Sequence, residues 1–281
     1  METLLSRNAV PIIDLANCNR SGLTDISQSL GKALSEKGYA LLINHGIFNE
    51  KIETSWQYFD KFLELSETEK VAYERYKASD GENHGYVSPG MERFDGRTTE
   101  FRHAYNICKL DAKHLPEKPL QGFTKFINSL TDDFNALGRF ILEALALSLD
   151  VSPLYFLDKH SYMLSDDRFN LTLEVKLRGC EEWQRVGHLP GALFINCGET
   201  MALWTNQRYH ALQHRVVVPE DESSRKCGRH SIAYFCHPDS TTLIDPKELQ
   251  NNGHKIQNEK VYNAYDITMA LARGAYSHNY T

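Results

Sequence analysis

Residues 171–178 read Leu-Thr-Leu-Glu-Val-Lys-Leu-Arg, and apolar and polar residues alternate along this stretch without exception. The side chains of a strand point alternately to its two faces, so this pattern predicts a half-buried β-strand. Further short apolar runs predict strands at residues 192–196, 201–204, 212–218 and 230–237. The second half of the chain is therefore predicted to form a β-sandwich or a β-barrel.

Helical periodicity dominates the part of the chain before this strand. Between Phe123 and Leu149, apolar residues recur at steps of three or four, and Pro153 lies just beyond. This spacing predicts one long helix with a core-facing stripe. Before it, the sequence predicts a helix that is capped at Thr24 or Asp25 and closed by Gly38, and a second helix with an apolar stripe through Trp56. Ser66 and Glu69 have the spacing of a capping box at the start of a third helix. Strands are predicted at residues 39–44, 86–90 and 100–107. Helices first and strands later indicate an α+β fold.

Composition narrows the class of protein. The chain has 281 residues, of which 41% are hydrophobic and 24% charged, and this mix excludes wholesale disorder. The net charge of −6, without a basic block, argues against a nucleic-acid or anionic-membrane partner. No apolar run approaches the ~20 residues of a spanning helix, and the N-terminus lacks signal-peptide features. The six cysteines form no C-x-x-C pair, which favours reduced thiols in a cytoplasmic protein.

One pair of histidines has the spacing of a zinc-binding helix. His210-Ala-Leu-Gln-His214 places them four residues apart, but the Glu of a zinc-protease motif is missing. The valines at 216–218 favour a strand, on which four residues span about 13 Å. His210 and His214 are therefore not expected to share a metal ion.

Four groups of residues in the second half carry a resemblance to a known family. They are Pro190-Gly-Ala-Leu-Phe-Ile-Asn-Cys-Gly198, Trp204-Thr-Asn206, His214-Arg-Val216 and Gly228-Arg-His-Ser231. In this order they resemble the C-terminal core of the 2-oxoglutarate- and Fe(II)-dependent dioxygenases of the isopenicillin-N-synthase type. Motifs of the first half stand in the order of the same family: Pro11-Ile-Ile-Asp-Leu15, Gly38-Tyr39, Asn44-His-Gly46, Gly85-Tyr86 and Glu100-Phe101.

The resemblance implies a fold, two cofactors and three site residues. The fold is a double-stranded β-helix (a jelly roll) with a scaffold helix in residues 116–281, behind an N-terminal region of residues 1–115. The cofactors are 2-oxoglutarate and Fe(II), the latter held by two His and one carboxylate, which leave coordination positions open. His214 matches the C-terminal His ligand, and Arg229 and Ser231 match the R-x-S pair that holds the distal carboxylate of 2-oxoglutarate. The alternatives are a core histidine at 214 and a surface strand at 229–231.

Family chemistry couples the decarboxylation of 2-oxoglutarate to succinate with the oxidation of a small organic substrate. The chain departs from the family at the other two iron ligands, which an H-x-D motif supplies several tens of residues before the second His. Here only His237 has an acid two positions later, in His237-Pro-Asp239, where the family carries such a tripeptide without a metal role. Arg168-Phe-Asn-Leu-Thr172 resembles the lead into the first core strand, and Leu173-Glu-Val175 resembles the segment after the H-x-D strand. A block with at least two strands is thus predicted to be missing between them.

No other residue offers itself as a replacement ligand. His160 has no neighbouring carboxylate, Asp166 and Asp167 are expected in a solvated loop, and His188 is expected in another loop. Three hypotheses stay open: an oxygenase with ligands from unexpected places, a non-catalytic binding or interaction protein, and a splice-type variant that folds poorly. The sequence thus predicts an oxidoreductase of this family with impaired or absent activity. Its jelly roll is expected to be incomplete, with open strand edges that invite aggregation.

Overall fold

The computed structural model of the chain describes residues 3–16, 20–75, 84–91, 102–160, 164–168, 173–217, 230–249 and 259–272. The helices are α1 (Arg20–Glu36), α2 (Asn49–Leu63), α3 (Glu67–Val71), α4 (Phe123–Ser148), α5 (Glu199–Trp204) and α6 (Ala264–Ala272). The strands are β1 (Ile12–Asp14), β2 (Tyr39–Ile43), β3 (Gly85–Val87), β4 (Ala104–Ile107), β5 (Leu164–Arg168), β6 (Leu173–Lys176), β7 (Trp183–Arg185), β8 (Leu193–Asn196), β9 (Gln213–Val216), β10 (Ala233–Phe235), β11 (Leu243–Ile244) and β12 (Tyr262–Asn263).

The long helix α4 confirms the helix predicted at residues 123–149. Its apolar stripe packs against α1, and Leu30 and Leu34 of α1 share a core cluster with Ile141, Leu142 and Leu145 of α4. Apolar residues three and four apart on each helix make this possible, because they form one continuous stripe on each surface. The helix pair is the scaffold against which the strands are arranged.

Two helix starts are fixed by carboxylates. The capping box before α3 is confirmed: the Ser66 hydroxyl accepts from the Glu69 amide, and the Glu69 carboxylate accepts from the Ser66 amide at 3.0 Å. Before α4, where Gly122 cannot cap with a side chain, the Glu117 carboxylate accepts from the amides of Gly122 and Thr124, each at 2.7 Å. Those two backbone bonds lower the pKa of Glu117. Each carboxylate satisfies N–H groups that the first helical turn leaves without intrahelical partners.

Strands from both halves of the sequence share sheets. Within the described residues, the sheet orders are β1-β2-β8, β10-β5-β4-β3, β7-β6-β9 and β11-β12. β1 runs parallel to β2, and the other pairs are antiparallel. In the part of the chain that the structure describes, these sheets do not join into a closed barrel. The α+β class is thus confirmed, and the incompleteness of the jelly roll stays a prediction.

The alternating stretch forms β6, and its apolar side covers a second core cluster. Val175 is fully buried there, with Leu173 and Leu177 packed around the same cluster. Tyr39 and Leu41 from β2 line the opposite side. The sheets β7-β6-β9 and β1-β2-β8 therefore share an apolar interior, as the period-two pattern requires of a strand with one buried face.

Three local predictions were wrong. Residues 201–204 lie in α5, not in a strand, because periodicity cannot separate a buried helical turn from a buried strand over four apolar residues. Asp166 and Asp167 lie in β5 and pair with Asn106 and Tyr105 of β4, not in a loop. The first helix begins at Arg20, ahead of the expected caps at Thr24 or Asp25.

In the described part of the chain, no helix is long and apolar enough to cross a membrane. Among the described residues, Cys108, Cys180, Cys197 and Cys236 form no disulfide bond.

Candidate functional site

His214 lies on β9, at the edge of the sheet β7-β6-β9. It stands directly opposite Val175 of β6. Residues opposite each other on paired strands project to the same face of the sheet, and Val175 is buried in the cluster between the two sheets. The His214 side chain therefore belongs to the inner face, while its position on β9 leaves it exposed at the rim.

The imidazole of His214 is held in one tautomer. Its Nδ1 lies 3.0 Å from the carbonyl oxygen of Leu212. A carbonyl only accepts hydrogen bonds, so Nδ1 carries the proton and donates. In the neutral ring of this tautomer, the lone pair is on Nε2. Metal-bound histidines use this arrangement, in which one ring nitrogen donates to a backbone carbonyl and the other binds the ion.

On the opposite face of the same sheet, one carboxylate joins three strands. Glu174 of β6 accepts from Nε and Nη2 of Arg215 on β9, at 3.0 and 2.9 Å, and from Nε of Arg185 on β7 at 3.5 Å. The Arg215 guanidinium also lies 4.4 Å from the ring centre of Trp183. Glu174 is only 9% exposed, although its polar place in the alternation predicted a solvent-facing residue. Arg215 follows His214 directly, so this cluster ties β9 to β6 on the C-terminal side of His214.

The R-x-S pair is described only in part. Ser231 lies two residues before β10, and Arg229 lies outside the described residues. The residue between them, His230, is anchored to α2: its Nε2 lies 2.7 Å from Oδ1 of Asp60, and its ring stacks on Trp56 with centroids 5.6 Å apart. The chain entering β10 is thus held against the N-terminal helices by a contact that local sequence patterns do not reveal.

The two described site residues belong to different sheets. His214 lies in the sheet β7-β6-β9, and Ser231 leads into β10 of the sheet β10-β5-β4-β3. In the part of the chain that the structure covers, no three His, Cys, Asp or Glu side chains are grouped to hold a metal ion. The structure thus provides one histidine in a ligand tautomer and no surrounding triad within those residues.

The other histidines considered as ligands have structural surroundings. His160 is buried, its Nδ1 donates to the Phe156 carbonyl at 2.7 Å, and its ring stacks on Trp204. Burial lowers the pKa of His160. Desolvation and then the neighbouring His160 lower the pKa of His237, whose ring stacks on Phe235. His188 lies in an exposed loop, as predicted.

Two family models match the chain. The model of the 2OG-Fe(II) oxygenase superfamily matches residues 155–238, and the model described as the N-terminal region of non-haem dioxygenases in morphine synthesis matches residues 10–129. The motifs of residues 190–231 lie within the first match, and those of residues 11–101 lie within the second.

Similar proteins are oxidoreductases of the same kind. Gibberellin 20 oxidase 1 of Arabidopsis thaliana is 27% identical, over 84% of this chain and 72% of the relative. The 2-oxoglutarate-Fe(II) type oxidoreductase ppzD of Metarhizium majus is 23% identical, over 84% of this chain and 85% of the relative. The first alignment spans 280 positions, and 84% of 281 residues is about 236, so about 44 aligned positions hold no residue of this chain.

Solved structures share the fold. A full-length protein of Neurospora crassa, crystallised with α-ketoglutarate and thymine, superposes with a TM-score of 0.80 at 19% identity, over 94% of this chain and 96% of that one. JOX2, crystallised with 2-oxoglutarate, Fe and JA, superposes with a TM-score of 0.75 at 19% identity, over 97% and 89%. 2-Oxoglutarate is bound in both structures and Fe in that of JOX2, and these are the two cofactors that the family resemblance implied.

Proposed function

The chain belongs to the 2OG-Fe(II) oxygenase superfamily, and we propose that it is an oxidoreductase of this lineage whose iron site is incomplete. It keeps His214 as one iron ligand and Arg229 with Ser231 for the distal carboxylate of 2-oxoglutarate. It lacks the H-x-D pair. A single imidazole leaves most of the coordination sphere of Fe(II) to water, so iron binds weakly and turnover of 2-oxoglutarate is at background.

The observation that carries this proposal is the lack of a His and carboxylate pair that could bind iron in the residues before His214. In the stretch between His160 and His214, residues 161–163 and 169–172 lie outside the described part, and they contain no His, Cys, Asp or Glu. Asp166 and Asp167 belong to a different sheet from His214. The residues present therefore do not fit a complete Fe(II) site, and no reaction step is assigned to one.

The alignment with gibberellin 20 oxidase 1 supports a missing block. About 44 positions of that alignment have no counterpart here, since 280 positions cover about 236 residues of this chain. A hairpin of two strands with its loops fits within that length, because strands are commonly about five or six residues long. The direct succession of β5 and β6, with only residues 169–172 between them, is where the family motifs place the loss.

The lineage points to a small organic molecule as the ancestral substrate. Gibberellin, in the name of one relative, and thymine, in a structure of another, are both of this class. The retained R-x-S pair still suits a carboxylate ligand, since arginine offers a two-pronged donor and serine a hydroxyl. We therefore expect the chain to bind 2-oxoglutarate although it does not convert it to succinate.

The test is iron binding by the whole chain under anaerobic conditions. Fe(II) is titrated in by calorimetry, and bound metal is measured after desalting. We expect much less than one iron per chain to be retained. His214→Ala should remove the residual binding, whereas His188→Ala, which changes an exposed loop histidine, should leave it unchanged.

A succinate assay with excess Fe(II) and ascorbate completes the test. We expect production at the level of the protein-free control. Stoichiometric iron after desalting, or succinate production that His214→Ala abolishes, would show that other residues complete the site and would overturn the proposal.

A further inference from the structure

A cleft on the helical side of the molecule includes neither His214 nor Ser231 in its lining. It has a volume of about 420 Å³ and is formed by α1, the C-terminal end of α4 and the residues that follow α5. Small-molecule sites commonly start at about 300 Å³, so the cleft has room for a metabolite-sized ligand.

The floor of this cleft contains a hydroxyl that the protein leaves unused. Ser27 of α1 lines the cleft and is 3% exposed, and within the described residues its hydroxyl makes no hydrogen bond. Beside it, the Ser148 hydroxyl bonds to the Tyr209 hydroxyl. Ser27 lines the cleft with this hydroxyl unpaired among the described residues, so the hydroxyl can donate to a polar ligand there.

Two cations also line the cleft. Nη2 of Arg208 donates to the Ser148 carbonyl at 2.9 Å, and this bond uses one of the five N–H donors of the guanidinium. Lys32 of α1 is exposed, and its ammonium forms no ion pair with any residue that the structure describes. Asp150 is the acid of the lining. The lining therefore has two positive charges against one negative charge.

The backbone is bent to bring Arg208 to this place. Asn206 and Gln207, the two residues before it, have φ angles of 50° and 64°. Residues other than glycine seldom adopt this left-handed region, and clusters of such residues often mark functional sites. The Gln207 amide donates to the Ala202 carbonyl at 2.7 Å, which holds the bend in place.

We propose that this cleft binds a small molecule through an oxyanion, either a carboxylate or a phosphate group, held by Arg208, Lys32 and the hydroxyl of Ser27. Guanidinium and ammonium groups with a hydroxyl form a donor set suited to both anions. The cleft shares no residue with the 2-oxoglutarate pair, so the inference is independent of the iron site.

The test is anion binding by the full chain, with inorganic phosphate in one arm, malonate in a second and chloride at matched ionic strength as the reference. Calorimetry gives the dissociation constant, and the melting temperature gives a second readout. Arg208→Gln should weaken binding of the preferred anion by about tenfold or more, the usual loss for a charged hydrogen bond. Arg139→Gln and Lys125→Gln, which change exposed cations elsewhere on α4, should have no effect.

Ser27→Ala keeps the test valid if Arg208→Gln disturbs the end of α4. Its hydroxyl has no partner in the described protein, so the variant should fold normally and still bind the anion several-fold more weakly. A phosphate-only or malonate-only response identifies which group the cleft prefers. Failure of both anions to bind beyond chloride, or binding that is unchanged in Ser27→Ala and Arg208→Gln, would overturn the proposal.

Discussion

Helix α1 packs against α4 where Gly31 contacts Ser148. This contact predicts that Gly31→Ala destabilises the protein, and that the same substitution stabilises it once the Ser148 side chain is removed. A Cβ added at Gly31 would lie 2.8 Å from the Ser148 Cβ and 3.1 Å from its Oγ. Both helices carry core residues on either side of the crossing, such as Leu30 and Leu145. The helices cannot separate without opening that core, so Gly31→Ala should be destabilising.

The size of the effect follows from two opposing terms. Alanine in place of glycine stabilises a helix by about 1 kcal/mol, and overpacking a filled contact costs about 1–3 kcal/mol. The Ser148 Cβ is fixed to the helix backbone and cannot rotate away, which favours the upper part of that range. We expect Gly31→Ala to lower the free energy of unfolding by about 1–2 kcal/mol.

In a Ser148→Gly background the sign should reverse. The nearest remaining atom to the new Cβ is then the Tyr209 hydroxyl at 3.4 Å, an ordinary contact. Only the helix preference of alanine is left, and Gly31→Ala should stabilise this background by about 0.5–1 kcal/mol. The coupling energy between the two sites is therefore about 2 kcal/mol.

Urea denaturation of the four proteins, followed by far-ultraviolet circular dichroism, measures this cycle. Ser148→Gly has its own cost, since it removes the hydroxyl that bonds to Leu145 and Tyr209. The cycle subtracts that cost. If Gly31→Ala stabilised the unmodified chain, or had the same effect in both backgrounds, the helices would not be in the contact described.

Two further predictions concern a buried histidine and the carboxylate opposite the His214 face. Burial lowers the pKa of His160 from 6.5, so the unfolded chain binds the proton more readily than the folded one. The contribution of His160 to stability is therefore complete above about pH 6.5 and declines as the pH falls towards the folded pKa. His160→Gln should make the free energy of unfolding less dependent on pH. Denaturant titrations between pH 5 and 8 measure this difference. Glu174→Gln should lower the free energy of unfolding by about 1–2 kcal/mol, because two partly exposed arginines lose the carboxylate between them. Urea titration with the exposed Glu181→Gln as control measures this loss, and equal values for the two variants would contradict the role of Glu174.

The local sequence predicted the elements whose signals are local. The alternation in residues 171–178 predicted the strand observed at Leu173–Lys176, and the apolar spacing predicted α4 to within one residue at its C-terminal end. The strand and helix predictions succeed because side-chain periodicity and helix capping depend on neighbours only a few residues apart. The family motifs predicted the family of the relatives, while the role of His214 stays a prediction.

Only the tertiary structure decided which of these elements meet. The contact of His230 with Asp60 joins residues 170 positions apart, and the bond from Arg215 to Glu174 spans 41. A polar position in an alternating strand predicts exposure, but Glu174 is buried because two arginines on neighbouring strands reach it. The same holds for Ser27, since its burial beside the cleft depends on how α1 packs against α4. Periodicity records which face a residue occupies, and the packing of distant elements decides what that face touches.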